Sequence, residues 1–328
     1  MKTINKYFLV ALAGGLLSFT ACSDDIEREV SPVVDPNCPG VYFSADNNYA
    51  LELEPEAALE MTLKVERTNT EDAATVKVEV LSNTENVFEV PETITFEAGQ
   101  AEAPLTIKFP NAEIGLSYSY ALKFGEGDYN PYADQQTYVS GSIIRIKWNP
   151  VSTAILLDGT VANFFGVPYP TAHYVTAEMA ELPTGVTKVR LLNPFAPATA
   201  DIDVDGVYTG YPYTFAEEMT GRDVKMLIDI IGSEATMSQT LMGFDWGYGE
   251  FFCGSIYPDL VDDKATYPLG EVTKGDDEQM ISIVFGPNSL YSGMLNYNNA
   301  GAYPVANPTC IFFSVDALKE YLAELPAE

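Results

Sequence analysis

The sequence predicts an all-β protein of tandem β-sandwich domains, and three observations predict it. Apolar and polar residues alternate in short runs from Val41 onward, the period of half-buried strands. Clusters of Gly, Asn, Asp and Pro punctuate those runs at spacings that suit sandwiches. The chain has 328 residues, 47% of them hydrophobic and 12% aromatic. That length exceeds the roughly 100 to 200 residues of one domain, and the apolar surface suffices for two cores.

At the start, Lys2 and Lys6 precede an apolar run from Tyr7 to Leu17, and Ser18, Thr20 and Ala21 lead to Cys22. This is the layout of a secretory signal peptide over residues 1–21, removed on export. The run is about half of the roughly 20 apolar residues that a membrane-spanning helix needs. Phe19-Thr-Ala-Cys22 resembles a bacterial lipobox, with Phe19 where that motif most often has Leu. Ser23-Asp24-Asp25 is similar to the acidic export signal of Bacteroidetes lipoproteins. The resemblance implies lipidation at Cys22 and a place in the outer membrane, facing the cell exterior.

The chain carries a formal net charge of −30, which loss of the two signal-peptide lysines takes to −32. Such a charge repels nucleic acid and anionic headgroups, so nucleic acid is excluded as a partner. No second apolar stretch is long enough to span a bilayer, which leaves no transmembrane helix in the mature chain and Cys22 as its membrane contact.

Residues 22–39 are acidic, then rich in Pro, Val and Asn, as suits a flexible tether. In residues 40–147 the alternation runs through Met61, Leu63 and Val65, then Val76, Val78 and Val80. It continues through Leu105, Ile107 and Phe109, and through Tyr118, Tyr120, Leu122 and Phe124. Turn residues fall between, as in Asn83–Asn86, Glu97–Gln100 and Gly125–Asp128, which predicts a sandwich of about seven strands. The stretch from Phe88 to Gln100, followed by Leu105-Thr-Ile-Lys-Phe109, resembles the later half of a Calx-beta-like, immunoglobulin-type module. No cluster matches that family's calcium ligands residue by residue, so calcium is not carried over. Val139 to Lys147 reads as the last strand, and Trp148-Asn-Pro150 breaks the pattern, which puts the boundary near residue 148.

Residues 148–328 read as a second β-rich domain, a sandwich or a jelly-roll-like fold. Gly159 to Phe165, Tyr174 to Met179 and Lys188 to Phe195 form a series that resembles a domain of Bacteroidetes surface lipoproteins of unknown function. That family has a phrase close to Tyr-Arg-Leu-x-Asn-Pro-Tyr, here with Val189 and Phe195 in the aromatic positions. Val224 to Ile230, Met280 to Phe285 and Thr309 to Phe313 read as further strands. Ser314 is placed to cap a short C-terminal helix whose Leu318, Tyr321, Leu322 and Leu325 share a face.

Catalytic motifs are missing from this pattern. The one histidine, His173, cannot build a triad or a multi-histidine zinc site by itself, and its expected role is packing or surface. No nucleophile elbow, Walker loop, His-Glu-x-x-His or dinucleotide fingerprint occurs. The expectation is a non-enzymatic protein without a cofactor. Asp201, Asp203 and Asp205, with Gly206, imitate the first half of a calcium loop, but Pro212 stands where the bidentate Glu belongs. A strand with Ile202 and Val204 inward explains the same alternation without metal. Cys38, Cys253 and Cys310 show no metal spacing. Cys253 and Cys310 are expected as separate buried thiols, although an oxidising envelope permits a bridge.

Candidate binding residues are aromatic. Trp246 and Tyr248 stand between glycines, a setting that projects flat rings from a loop toward sugar faces. Tyr208, Tyr211 and Tyr213 make a second candidate platform, and Tyr291 and Tyr297 a third. The same rings also suit the cover of a sandwich core. The expected function is binding of a glycan or other ligand, or of a surface protein, through loops of the second domain. The alternative is a structural or adhesin-type lipoprotein that pairs through its sheet edges.

Overall fold

The computed structural model describes residues 33–160, 169–198, 200–210, 219, 222–245, 247, 249–295 and 302–325. Cys22, Tyr211, Tyr213, Trp246, Tyr248 and Tyr297 lie outside the described residues. Within them the fold is nearly all β with one short α-helix, as predicted.

The first half contains β1 (Val41–Phe43), β2 (Ala50–Leu53), β3 (Glu60–Arg67) and β4 (Ala74–Asn83). It continues with β5 (Thr93–Phe96), β6 (Glu102–Lys108), β7 (Ser117–Phe124) and β8 (Tyr138–Arg145). A three-stranded sheet, β1-β3-β6, faces a five-stranded sheet, β2-β8-β7-β4-β5. All pairings are antiparallel except β2 with β8. The alternation seen in the sequence puts Leu63, Val65, Leu105, Ile107, Leu122 and Phe124 into one core, each at most 1% exposed. Phe43 and Phe124 stack across it with ring centroids 4.3 Å apart.

One member of the expected face departs. Val80 is 46% exposed, because the register of β4 against β7 shifts between Val80 and Ser82. A bulge adds a residue to one strand and turns its neighbours away from the core.

The second half contains β9 (Asn149–Pro150), β10 (Ile155–Leu157), β11 (Thr171–Tyr174), β12 (Thr176–Glu181), β13 (Val186–Leu192) and β14 (Tyr208–Thr209). Next come β15 (Lys225–Ile231), β16 (Glu234–Met237), β17 (Thr240–Asp245), β18 (Glu250–Ser255) and β19 (Gly270–Lys274). The last strands are β20 (Met280–Phe285), β21 (Leu290–Met294), β22 (Tyr303–Pro304) and β23 (Thr309–Phe312), followed by α1 (Val315–Glu324).

An eleven-stranded sheet runs β14-β11-β10-β23-β20-β19-β16-β15-β13-β12-β9, and a four-stranded sheet runs β17-β18-β21-β22. One hydrophobic cluster joins them: Leu156, Val189, Met226 and Ile283 from the large sheet meet Phe251 and Leu290 from the small one. Burying an aliphatic or aromatic side chain of this size is worth about 1.5–3 kcal/mol, so this interface is the main cohesive term of the second half. At the outer edges of these two sheets, β9 and β22 each end in a proline, Pro150 and Pro304.

The helix α1 covers the other face of the large sheet. Ser314 caps it, its Oγ accepting the Ala317 N–H at 3.1 Å. Leu318 is fully buried among Ile155, Leu157, Cys310 and Phe312, with Tyr321 and Leu322 beside it. Leu325 is the residue at which the helix ends.

Candidate functional site

In the sequence, Trp246 and Tyr248 fall between two strands that pair with each other. Strands β17 and β18 pair from Thr240↔Cys253 to Asp245↔Glu250, so the segment expected as a loop is strand up to Asp245 and again from Glu250. The connection between them is Trp246-Gly-Tyr-Gly249. Two carboxylates brace its base: Glu250 Oε1 accepts the Gly243 N–H at 2.8 Å, and Asp245 Oδ1 accepts the Gly247 N–H at 2.6 Å. Gly243, Gly247 and Gly249 have φ of 76°, 95° and 87°, a region that favours glycine. The glycines that frame the aromatics are therefore required by the backbone of the turn. Below it, Phe251 points into the main core while Phe252 joins Ile256 and Tyr291 on the opposite face.

Tyr208 lies elsewhere, on β14 at the edge of the large sheet, paired in parallel with β11 and 56% exposed. Tyr208 and the strands that flank residues 246–249 thus belong to different sheets. Tyr291 is not a platform: it is 1% exposed, edge-on to Phe252 with centroids 5.5 Å apart, and its ring crosses Gly254 on the neighbouring strand. Burial pushes its phenol above the ordinary range.

Asp201, Asp203 and Asp205 are exposed, while Ile202 is buried and Val204 packs against the cluster under α1. Ile202 and Val204 thus face inward as expected, but the segment is no strand: it ends in a turn, with Val207 N donating to Val204 O. Among the described residues, no three His, Cys, Asp or Glu gather as a metal site.

His173 sits on β11 and is 2% exposed. Its Nε2 lies 2.6 Å from the Pro194 carbonyl, which can only accept, so Nε2 carries the proton. Burial lowers its pKa, against the opposing pull of the Pro194 carbonyl and the Asp158 charge. Asp158 is itself buried, and its Oδ1 accepts from the Thr160 N–H at 2.8 Å and the Thr160 hydroxyl at 2.6 Å. Cys253 and Cys310 are unpaired and fully buried on different sheets, and Cys38 is unpaired and half-buried. Desolvation pushes the Cys310 thiol up to about 12 and raises Cys253 as well, which removes the thiolate that nucleophilic chemistry needs.

The Arg-Leu-Leu-Asn-Pro-Phe phrase has a structural reason at each recognisable position. Asn193 takes a left-handed φ of 49°, donates its N–H to the Val224 carbonyl and accepts the Val224 N–H on Oδ1 at 2.8 Å. Pro194 supplies the carbonyl to His173, and Phe195 is fully buried in the main core. Arg190 reaches toward the first half and ends over Trp148, which the sequence showed only as a break. The signal available was Arg190 itself, a charge between the apolar Val189 and Leu191 in a run that reads as strand.

No protein-family model matches the chain, and no curated protein matches it. Two solved structures are similar to it over most of their length. One, from Bacteroides ovatus and of unknown function, is 12% identical, covers 83% of this chain and 94% of its own, and has a TM-score of 0.27. Another, an auxiliary nutrient binding protein from Bacteroides thetaiotaomicron, is 12% identical, covers 81% of this chain and 92% of its own, and has a TM-score of 0.24.

Proposed function

We propose that this chain is a lipid-anchored protein of the outer membrane surface that binds a glycan without transforming it, through Trp246 and Tyr248. The braced hairpin carries the reading: three left-handed glycines and two carboxylates fix the base of a four-residue connection in which every second residue is a large aromatic. Aromatic rings bind sugar faces, and a fixed backbone on either side of them lowers the entropic cost of doing so. The lipobox-like Phe19-Thr-Ala-Cys22 and the acidic residues after it support the surface address. The strand-pairing alternative has one observation in its favour, Leu241 on the edge strand β17, which is 46% exposed.

One experiment with three arms tests the reading. Intact cells expressing the wild type, Cys22→Ala or Trp246→Ala are incubated with a panel of fluorescent soluble polysaccharides. Wild-type cells bind at least one glycan and release no shorter products. Cys22→Ala removes the protein from the surface and the binding with it. Trp246→Ala leaves the protein on the surface with affinity about 30-fold weaker, the loss of an aromatic anchor worth about 2 kcal/mol. Equal affinity in Trp246→Ala sinks the platform, and silence across the panel points to the strand-pairing role.

A further inference from the structure

The two halves share no strand, and the chain crosses between them from Arg145 to Asn149. That crossing is held on both sides. Ile146 N donates to the Leu53 carbonyl of the first half at 2.9 Å, while Asn149 and Pro150 pair with Met179 and Glu178 of the second. Between those anchors lie Lys147 and Trp148, and Trp148 is not free either: its Nε1 donates to Glu52 Oε1 at 2.8 Å.

Arg190 sits at the centre of this junction. Its Nε donates to Glu178 of its own half at 2.5 Å, and its Nη1 donates to Glu52 of the first half at 2.9 Å. Glu54 lies 3.9 Å from Nη2, and the guanidinium carbon stands 4.2 Å from the Trp148 ring centre. The Arg190 side chain is 12% exposed, against 39% for Glu52 and 65% for Glu54. One planar cation therefore satisfies carboxylates from both halves and stacks on the crossing itself, a use that the rigid donor fork of arginine suits and lysine does not. A second contact lies away from the clasp: a Cβ on Gly115 of the first half would fall 2.4 Å from Pro183 Cδ of the second. A joint touched at two separated places cannot bend about either alone.

We infer that the two sandwiches form one rigid body and that Arg190 is the clasp that keeps them so. The charge balance makes the clasp sensitive to its one cation. Without Arg190, the carboxylates of Glu52, Glu54 and Glu178 face one another, so its loss drives the halves apart rather than merely loosening them. The junction cleft of about 630 Å³, lined among others by Ile114, Lys147, Val151, Met179, Glu181 and Pro183, keeps its width in the closed body and widens when the clasp is lost.

Spin labels test this on the full chain with Cys22 and Cys38 replaced by Ser and with Glu92→Cys and Asp276→Cys as label sites. The buried Cys253 and Cys310 stay unlabelled in the native protein. The parent shows one narrow distance peak between labels. Arg190→Gln broadens the peak and moves it to longer distance, and Arg190→Lys gives an intermediate result. Lys188→Gln, two residues away on β13 and paired with Asp229 inside the second half at 2.6 Å, leaves it unchanged. Should Arg190→Gln fail to fold, Glu52→Ala combined with Trp148→Ala releases the same clasp from the other side, with the same broadening expected. A broad distribution in the parent, or an unaltered narrow peak in a folded clasp variant, overturns the inference.

Discussion

Arg67 is 4% exposed and spends its guanidinium on backbone. Nε, Nη1 and Nη2 donate to the carbonyls of Gln100, Asp72 and Glu97 at 2.7, 2.8 and 2.7 Å, with Phe96 under the carbon at 5.0 Å. A buried cation is tolerated when its donors are met, and here they tie the turn between β5 and β6 to Asp72 in the connection from β3 to β4. His173 is a milder case with a pH consequence. Its folded pKa lies below the ordinary 6.5, so the unfolded chain takes up a proton first as pH falls. The stability it contributes is complete above about pH 6.5 and is lost as pH drops below that value toward the folded pKa. Urea unfolding of the wild type and of His173→Gln at pH 7.5 and 5.5 checks this. The wild type is expected to lose more stability than the variant over that interval, by up to about 1 kcal/mol. Equal losses would show that the imidazole does not titrate differently on folding. None of this was legible at residue 173 in the sequence, where a lone histidine beside a tyrosine fits a core or a surface equally well. Burial came from the turn at Asn193 and Pro194, some twenty residues on.

At the scale of strands, both halves use the same device. Tyr120 on β7 lies across Gly141 of its cross-strand pair on β8, and Tyr291 on β21 lies across Gly254 of its pair on β18. A ring laid over a strand glycine covers backbone that lacks a side chain of its own, and the glycine in turn gives the ring its room. At Gly141 a Cβ would fall 2.3 Å from the Tyr49 carbonyl and 2.4 Å from the Tyr120 hydroxyl. Gly141→Ala is expected to destabilise the protein by about 1–3 kcal/mol, the cost of overpacking, as read from its chemical denaturation midpoint. The period-two pattern made the cores of β3, β6 and β7 legible, since alternation is the signal that a one-sided sheet writes into its sequence. The bulge after Val80 was not legible, because it changes register without a residue that announces it. The β17–β18 hairpin was read as loop for a related reason: its glycines weaken strand propensity, while pairing and the two carboxylate braces supply the order.

The whole molecule is an acidic body with a formal net charge of −30. Ion pairs among the described residues are mostly exposed, such as Lys64 with Asp46 and Lys77 with Glu79, and exposed pairs contribute little. Self-repulsion therefore opposes the compact state most at low ionic strength. Raising salt from about 10 mM to 150 mM shortens the screening length from about 30 to 8 Å. The melting temperature is expected to rise by roughly 2–4 °C, the effect of about 1 kcal/mol in a protein of this size. A fall with salt would mean that attractive pairs dominate. At this scale the all-β character was readable from composition and pattern, whereas the clasp between the halves was not. Arg190 and Glu52 are 138 residues apart, and each looks like an ordinary solvent-facing charge on its own strand.

The prolines that end β9 and β22 bear on how copies of this molecule behave when crowded together. A strand that tried to extend either sheet would meet Pro150 or Pro304, neither of which has an N–H to offer, at the edge where growth has to begin. Propagation into fibres is thereby blocked at one border of each sheet in the second half. Any strand that does add on is confined to the opposite borders, β14 and β17, and β17 is the one that runs up to Trp246. Self-assembly by strand exchange would then compete for the same side of the molecule with the glycan binding proposed for the β17–β18 hairpin.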